Sequence, residues 1–161
     1  MAKKKLTKKM GLEKKLRDYK KVLKDDYDWD WIFILRLLQY KLERTRKCIL
    51  ENNIIVEAPK VARQIREVEV LLKRVDQDCY FEEISKDFRK RYGRLRMKFK
   101  KAKPGEKYTT LDLKYAKETP RNAAKIHAEG SRLYRRAHKM QRNDLKKAFD
   151  LIFKNIWGWW D

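Results

Sequence analysis

The sequence predicts an all-α protein, an antiparallel bundle of three long helices plus a shorter basic N-terminal helix. Three observations carry this prediction. Apolar residues recur at alternating steps of four and three over two long stretches. Only five Gly and three Pro interrupt 161 residues, too few for a turn-rich β-fold. Apolar residues make up 42% of the chain, enough to build a core beside an equal 42% of charged residues. This length fits one domain, expected over 11–161 behind a mobile basic arm at 1–10.

The first 24 residues carry eleven Lys or Arg and two acids. Leu12, Leu16, Tyr19 and Leu23 sit at helical spacing and predict a helix over 12–24, weakened by like charge. A second helix is expected over 27–52, where Trp31, Leu35, Leu38, Leu42, Thr45 and Ile49 form a coiled-coil-like stripe. Between Trp29 and Leu38 only Asp30 and Arg36 are polar, which suits a central helix and places Trp29 and Trp31 in the core. Asp25, Asp26, Asp28 and Asp30 read as first-turn caps that favour the helix dipole. Their spacing lacks the glycine and distal glutamate of a calcium loop. Asn52 and Asn53 suit the C-terminal cap.

Pro59 opens a third helix expected over 59–102. Val61, Ile65, Val68, Leu72, Val75 and Cys79 repeat the stripe, and Tyr80, Ile84, Phe88, Leu95 and Phe99 extend it. Gly93 and a change of phase near Tyr80 predict a kink or break. Lys103-Pro104-Gly105-Glu106 signals a turn, and 103–119 reads as a loop or short irregular helix. Thr119-Pro120 starts the last helix, expected over 120–157. Ile126, Leu133, Ala137, Met140, Ala148 and Leu151 share one of its faces.

Charge bounds the function. With 44 Lys and Arg against 23 Asp and Glu, the chain carries a formal +21, and such self-repulsion points to an anionic partner. Phosphate is the natural one, since its neutralisation releases condensed counterions. No apolar run reaches the length of a membrane span, and no apolar stretch follows the basic N-terminus to make a signal peptide. Cys48 and Cys79 lack metal-ligand spacing and read as ordinary buried thiols of a soluble protein in a reducing cytoplasm. His127 and His138, eleven residues apart, would stand about 16 Å apart on a helix, too far to share a metal. The five glycines are isolated, so no phosphate-cradling loop is present. No catalytic residue, metal or cofactor is expected.

The densest cationic run, 86–103, holds ten Lys or Arg and one acid, Asp87. As a helix it would turn Lys86, Arg89, Lys90, Arg94, Arg96 and Lys100 to solvent, and Lys98 and Lys101 of the same run are counted among the phosphate ligands. Arg132, Arg135, Arg136, Lys139 and Arg142 add a second basic face, and Lys3–Lys9 an arm. Together they predict a non-enzymatic protein that binds nucleic acid through phosphates with little sequence specificity, since no fold that reads base edges is apparent.

Two further readings stand beside this one. Arg91 and Lys98 fall inside the apolar arc, and Asp144 shares the apolar face of the last helix. Either Arg91 pairs with Asp144 to set helix register, or Arg91, Lys98, Tyr134 and His138 line an internal pocket that sequesters a small phosphorylated nucleotide. Trp157, Trp159 and Trp160 either close the core or form a partner interface. The heptad stripes and these tryptophans also suit a homo-oligomer, a virion component or an inhibitory protein partner.

Tyr27-Asp28-Trp29-Asp30-Trp31 leads into Leu35, Leu37, Leu38 and Lys41-Leu42-Glu43, and the chain ends Asn155-Ile156-Trp157-Gly158-Trp159-Trp160-Asp161. This pair of stretches resembles small proteins encoded by tailed bacteriophages. The resemblance implies a viral origin and expression in a bacterial cytoplasm. A sequestered cyclic nucleotide would then be a bacterial immune signal, and the protein an anti-defence factor.

Overall fold

The computed structural model describes residues 2–24, 30–52, 55–100 and 110–159. Of these residues 78% are helical, in six α-helices, and one small two-stranded sheet accompanies them. The elements are α1 (Ala2–Leu23), α2 (Ile32–Asn52), α3 (Ala58–Gln77), α4 (Tyr80–Ile84), α5 (Lys86–Tyr92), β1 (Leu95–Lys100), β2 (Thr110–Tyr115) and α6 (Ala123–Asn155), followed by a 3-10 turn at Trp157–Trp159. They group into two compact units, Met1–Gln77 with Asp144–Asp161, and Asp78–Asn143.

In the first unit α2 and α3 zip together along the two stripes. Val61, Ile65, Val68, Leu72 and Val75 are all buried on α3, facing Leu35, Leu42 and Ile49 on α2. The helices run antiparallel: Arg36 Nε meets Asp76 Oδ1 at 2.7 Å near one end, and Arg46 Nε meets Glu69 Oε1 at 2.8 Å further along. Glu69 is buried yet satisfied, since Arg66 Nη1 also reaches its Oε2 at 3.2 Å. Ala148 from the C-terminal half of α6 and Trp159 join the same core. The Trp159 Nε1–H donates to Gln64 Oε1 at 3.2 Å, giving the buried indole a polar partner. Asp30 Oδ1 accepts the Ile32 N–H at 3.0 Å and so caps α2, as its position in sequence suggests. Asp25, Asp26, Asp28 and Trp29 lie outside the described residues.

Several expectations are corrected here. Residues 2–10, expected as a basic arm ahead of the first helix, are helical and belong to α1. Trp31 is 50% exposed, one turn short of where the stripe enters the core. Both cysteines are exposed rather than buried. Asp144 receives Arg74 Nη1 at 2.6 Å, and Arg91 is paired with Glu129.

The largest correction concerns 59–102. The helix stops at Gln77, and Asp78 adopts a left-handed φ of 47°. After α4 and α5, Gly93 (φ 79°) ends helical structure altogether, and Leu95 to Lys100 is a strand. The reason is visible in the residues: Leu-Arg-Met-Lys-Phe-Lys alternates with period two, and so does Thr-Leu-Asp-Leu-Lys-Tyr over 110–115, inside the expected loop. Each alternation supplies the partner that the other needs, and the two pair antiparallel from Leu95↔Tyr115 to Lys100↔Thr110.

The second unit packs α4, α5 and the ribbon against residues 123–143 of α6. Tyr80, Phe88, Ile126 and Ala137 are its buried apolar residues. Phe88 lies edge-on to both Tyr92 and Tyr115, each at 5.1 Å between ring centres. The ladder continues past the strands, with Ala116 N–H on Arg94 O and Lys117 N–H on Tyr92 O, both at 3.0 Å.

Candidate nucleic-acid interface

Pairing of β1 with β2 sorts side chains onto two unlike faces. Leu95, Met97 and Phe99 stand opposite Tyr115, Leu113 and Leu111, while Arg96 and Lys98 stand opposite Lys114 and Asp112. One face of the ribbon is therefore apolar and the other mainly cationic. The apolar face is not covered. Met97 is 67% exposed and Phe99 76%, and Leu95, Leu111 and Leu113 are exposed too.

At its root the apolar face forms one wall of an open cleft of about 1030 Å³. Leu95, Leu113 and Tyr115 come from the ribbon, Phe81 and Phe88 from α4 and α5, and Tyr134 from α6. Gly130 lets the tyrosine lie against α6, since a Cβ there would meet Tyr115 Oη at 3.1 Å and Phe88 Cζ at 3.4 Å. Arg89, Arg94 and Arg135, with Glu82, His127 and Ser131, supply the polar lining.

These cations differ in how free they are. Arg89 Nη2 is held by Glu82 Oε1 at 3.1 Å, its guanidinium over the Phe81 ring. Arg94 and Arg135 have no side-chain ion pair or hydrogen bond among the described residues. The acids nearby are committed to structural bonds. Glu129 takes Arg91 and also the Tyr92 hydroxyl, which donates to Oε2 at 3.2 Å. Burial pulls the Glu129 carboxyl upward, but these bonds outweigh it and hold it below the usual glutamate range. Glu118 accepts the Tyr115 N–H at 2.9 Å and faces His127 Nε2 at 3.2 Å. The backbone bond, then the His127 bond, lower its carboxyl as well. Burial, aided by the Glu118 charge, pushes the Tyr115 hydroxyl up, so it stays a neutral wall of the cleft.

The expected phosphate ligands fall in three places. Lys86, Arg89 and Lys90 lie on α5, with Arg94 just beyond it; Arg96 and Lys98 lie on the cationic face of β1. Lys100 ends β1, and Lys101 lies outside the described residues. Arg132, Arg135, Arg136, Lys139 and Arg142 are all exposed along α6. The four residues expected to line an internal anion pocket are not brought together. Arg91 is exposed and bound to Glu129, and Lys98 points away from the apolar face of an exposed ribbon. Tyr134 and His138 do meet, edge-on at 4.4 Å, and Tyr134 lines the cleft. Of the tryptophans, Trp159 is buried, Trp157 is 80% exposed, and Trp160 lies outside the described residues.

Of the aromatic and aliphatic cleft residues, Phe81, Leu113 and Tyr115 were not singled out from sequence. The signal for Leu113 and Tyr115 was the strict alternation in 110–115. Among the described residues no group of His, Cys, Asp and Glu is placed to hold a metal ion. No helix among them is long and apolar enough to cross a membrane. The chain matches no family model, and neither a curated protein nor a solved structure is significantly similar to it.

Proposed function

We propose that this protein binds nucleic acid non-enzymatically, through phosphate contacts made by the cationic surface of the Asp78–Asn143 unit. One observation carries the reading: the cation surplus of this unit is not cancelled within it. The unit holds 20 Lys or Arg against 8 Asp or Glu, a net of +12. Four of its eight acids are spent on structure, with Glu82 on Arg89, Glu129 on Arg91 and Tyr92, Glu118 on Tyr115 and His127, and Asp78 on Gln141. Arg94, Arg96, Arg135, Arg136, Lys139 and Arg142 are exposed and make no side-chain ion pair or hydrogen bond among the described residues. Such a surface meets phosphates with little competition and reads their charge rather than base sequence.

Salt tests this directly. If the six free cations each neutralise one phosphate of a 20-base-pair duplex, log K falls with log salt at a slope of about −5. Affinity measured by fluorescence anisotropy should then drop roughly a thousandfold between 50 and 200 mM NaCl, equally for scrambled sequences. Replacing Arg135, Arg136 and Arg142 with Gln should flatten the slope by about one for each arginine removed. An affinity that changes less than about threefold over that range, or an absence of binding, overturns the proposal.

A further inference from the structure

We infer that the cleft and the apolar face of the β1–β2 ribbon hold unstacked bases, so that the protein prefers single-stranded to duplex nucleic acid. The inference rests on the phosphate-binding reading and adds to it what lies between the phosphates. The most basic unit of the chain leaves an apolar strip open to solvent, running from Tyr134 (58% exposed) and Leu113 in the cleft to Met97 and Phe99 along the ribbon. A protein repelling itself through a large net charge gains nothing from such a strip unless its partner is both anionic and apolar. A single strand is such a partner, since it carries one phosphate per nucleotide and bares the flat faces of its bases. A duplex hides those faces in its stack.

The placement of the free cations agrees. Arg94 and Arg135 line the cleft with no side-chain ion pair or hydrogen bond among the described residues, so a base against Tyr134 has guanidinium groups at hand for its phosphates. Along β1, Leu95, Met97 and Phe99 mark successive rows of the apolar face, with Arg96 and Lys98 on the opposite face. Residues two apart on a strand are about 6.7 Å apart. Stacked bases of one strand rise only about 3.4 Å each. Bases spread along the ribbon are therefore unstacked and set one to each apolar row.

The test uses the full chain with a labelled 20-nucleotide oligothymidylate and a 20-base-pair duplex at one salt concentration. The wild-type protein should bind the single strand at least tenfold more tightly. Tyr134→Ala and a Met97→Ser/Phe99→Ser double variant should each lose roughly five- to hundredfold of single-strand affinity, the range expected for losing a stacked base. Duplex affinity and the salt slope should not move, and Tyr134→Phe should retain binding. These side chains are exposed, so the melting midpoint of each variant should stay close to wild type. Equal binding of strand and duplex, with unchanged affinities in the variants, overturns this inference but leaves the phosphate reading standing. Failure of both probes to show salt-dependent binding overturns the phosphate reading itself. Displacement of the oligonucleotide by an equimolar free mononucleotide would mean that the cleft serves a discrete nucleotide, and overturns the single-strand assignment.

Discussion

Gly93 holds a conformation that a side chain would make costly. Its φ of 79° is left-handed, and a Cβ placed there would lie 2.7 Å from the Ala116 Cβ. The residue ends α5 and lets the chain leaving β2 pass close beside it, so sequence and tertiary contact demand glycine for separate reasons. Gly93→Ala should destabilise the Asp78–Asn143 unit by about 1–3 kcal/mol, read as a lower midpoint in urea denaturation. Trp159 makes the opposite kind of demand, for bulk with one polar tip. Trp159→Phe keeps most of the buried ring but removes the donor to Gln64. It should cost about 1–2 kcal/mol in the same assay, more than any change at the exposed Trp157. At this scale the sequence singled out Gly93 and Trp159 but not the contacts each one makes. Arg91 and Asp144 are each paired, but to Glu129 and Arg74, because a helical wheel gives direction and not the neighbour met there.

Among the elements, α2 and α3 were legible because each stripe holds one period from end to end. Ile65 lies at the centre of that seam with no exposed surface. Ile65→Ala should cost about 2–5 kcal/mol in chemical denaturation, a loss of transfer energy plus the cavity left behind. The stretch from Tyr80 onward was misread for a definite reason. Tyr80, Ile84 and Phe88 keep helical spacing, but Leu95, Met97 and Phe99 match a period of two just as well as Leu95 and Phe99 match four. An ambiguity of this kind is resolved only by a partner strand, and Leu111, Leu113 and Tyr115 provide it across a connection of some ten residues. The break after Gly93 was foreseeable, and the change of structure type was not.

Over the whole molecule, charge organises behaviour. The carboxyls of Glu118 and Glu129 both lie below the usual range, so the stability they contribute is complete above the ordinary glutamate pKa of about 4.3. It is lost as pH falls further, through the lowered values of the folded state. Rising net positive charge acts in the same direction. The melting midpoint followed by circular dichroism should therefore hold steady from pH 7 to about pH 5 and fall steeply below pH 4. Glu129→Gln should melt lower at pH 7 and show a shallower fall. The composition of this chain determined its cation surplus, and its periodicity determined the α2–α3 seam, because both are properties of residues counted in order. Tertiary structure alone decided which acids are spent on structural bonds, which arginines stay free beside an apolar cleft, and that a presumed helix is a ribbon. Those outcomes depend on what distant segments bring within a few ångströms of one another, and spacing along the chain does not carry that information.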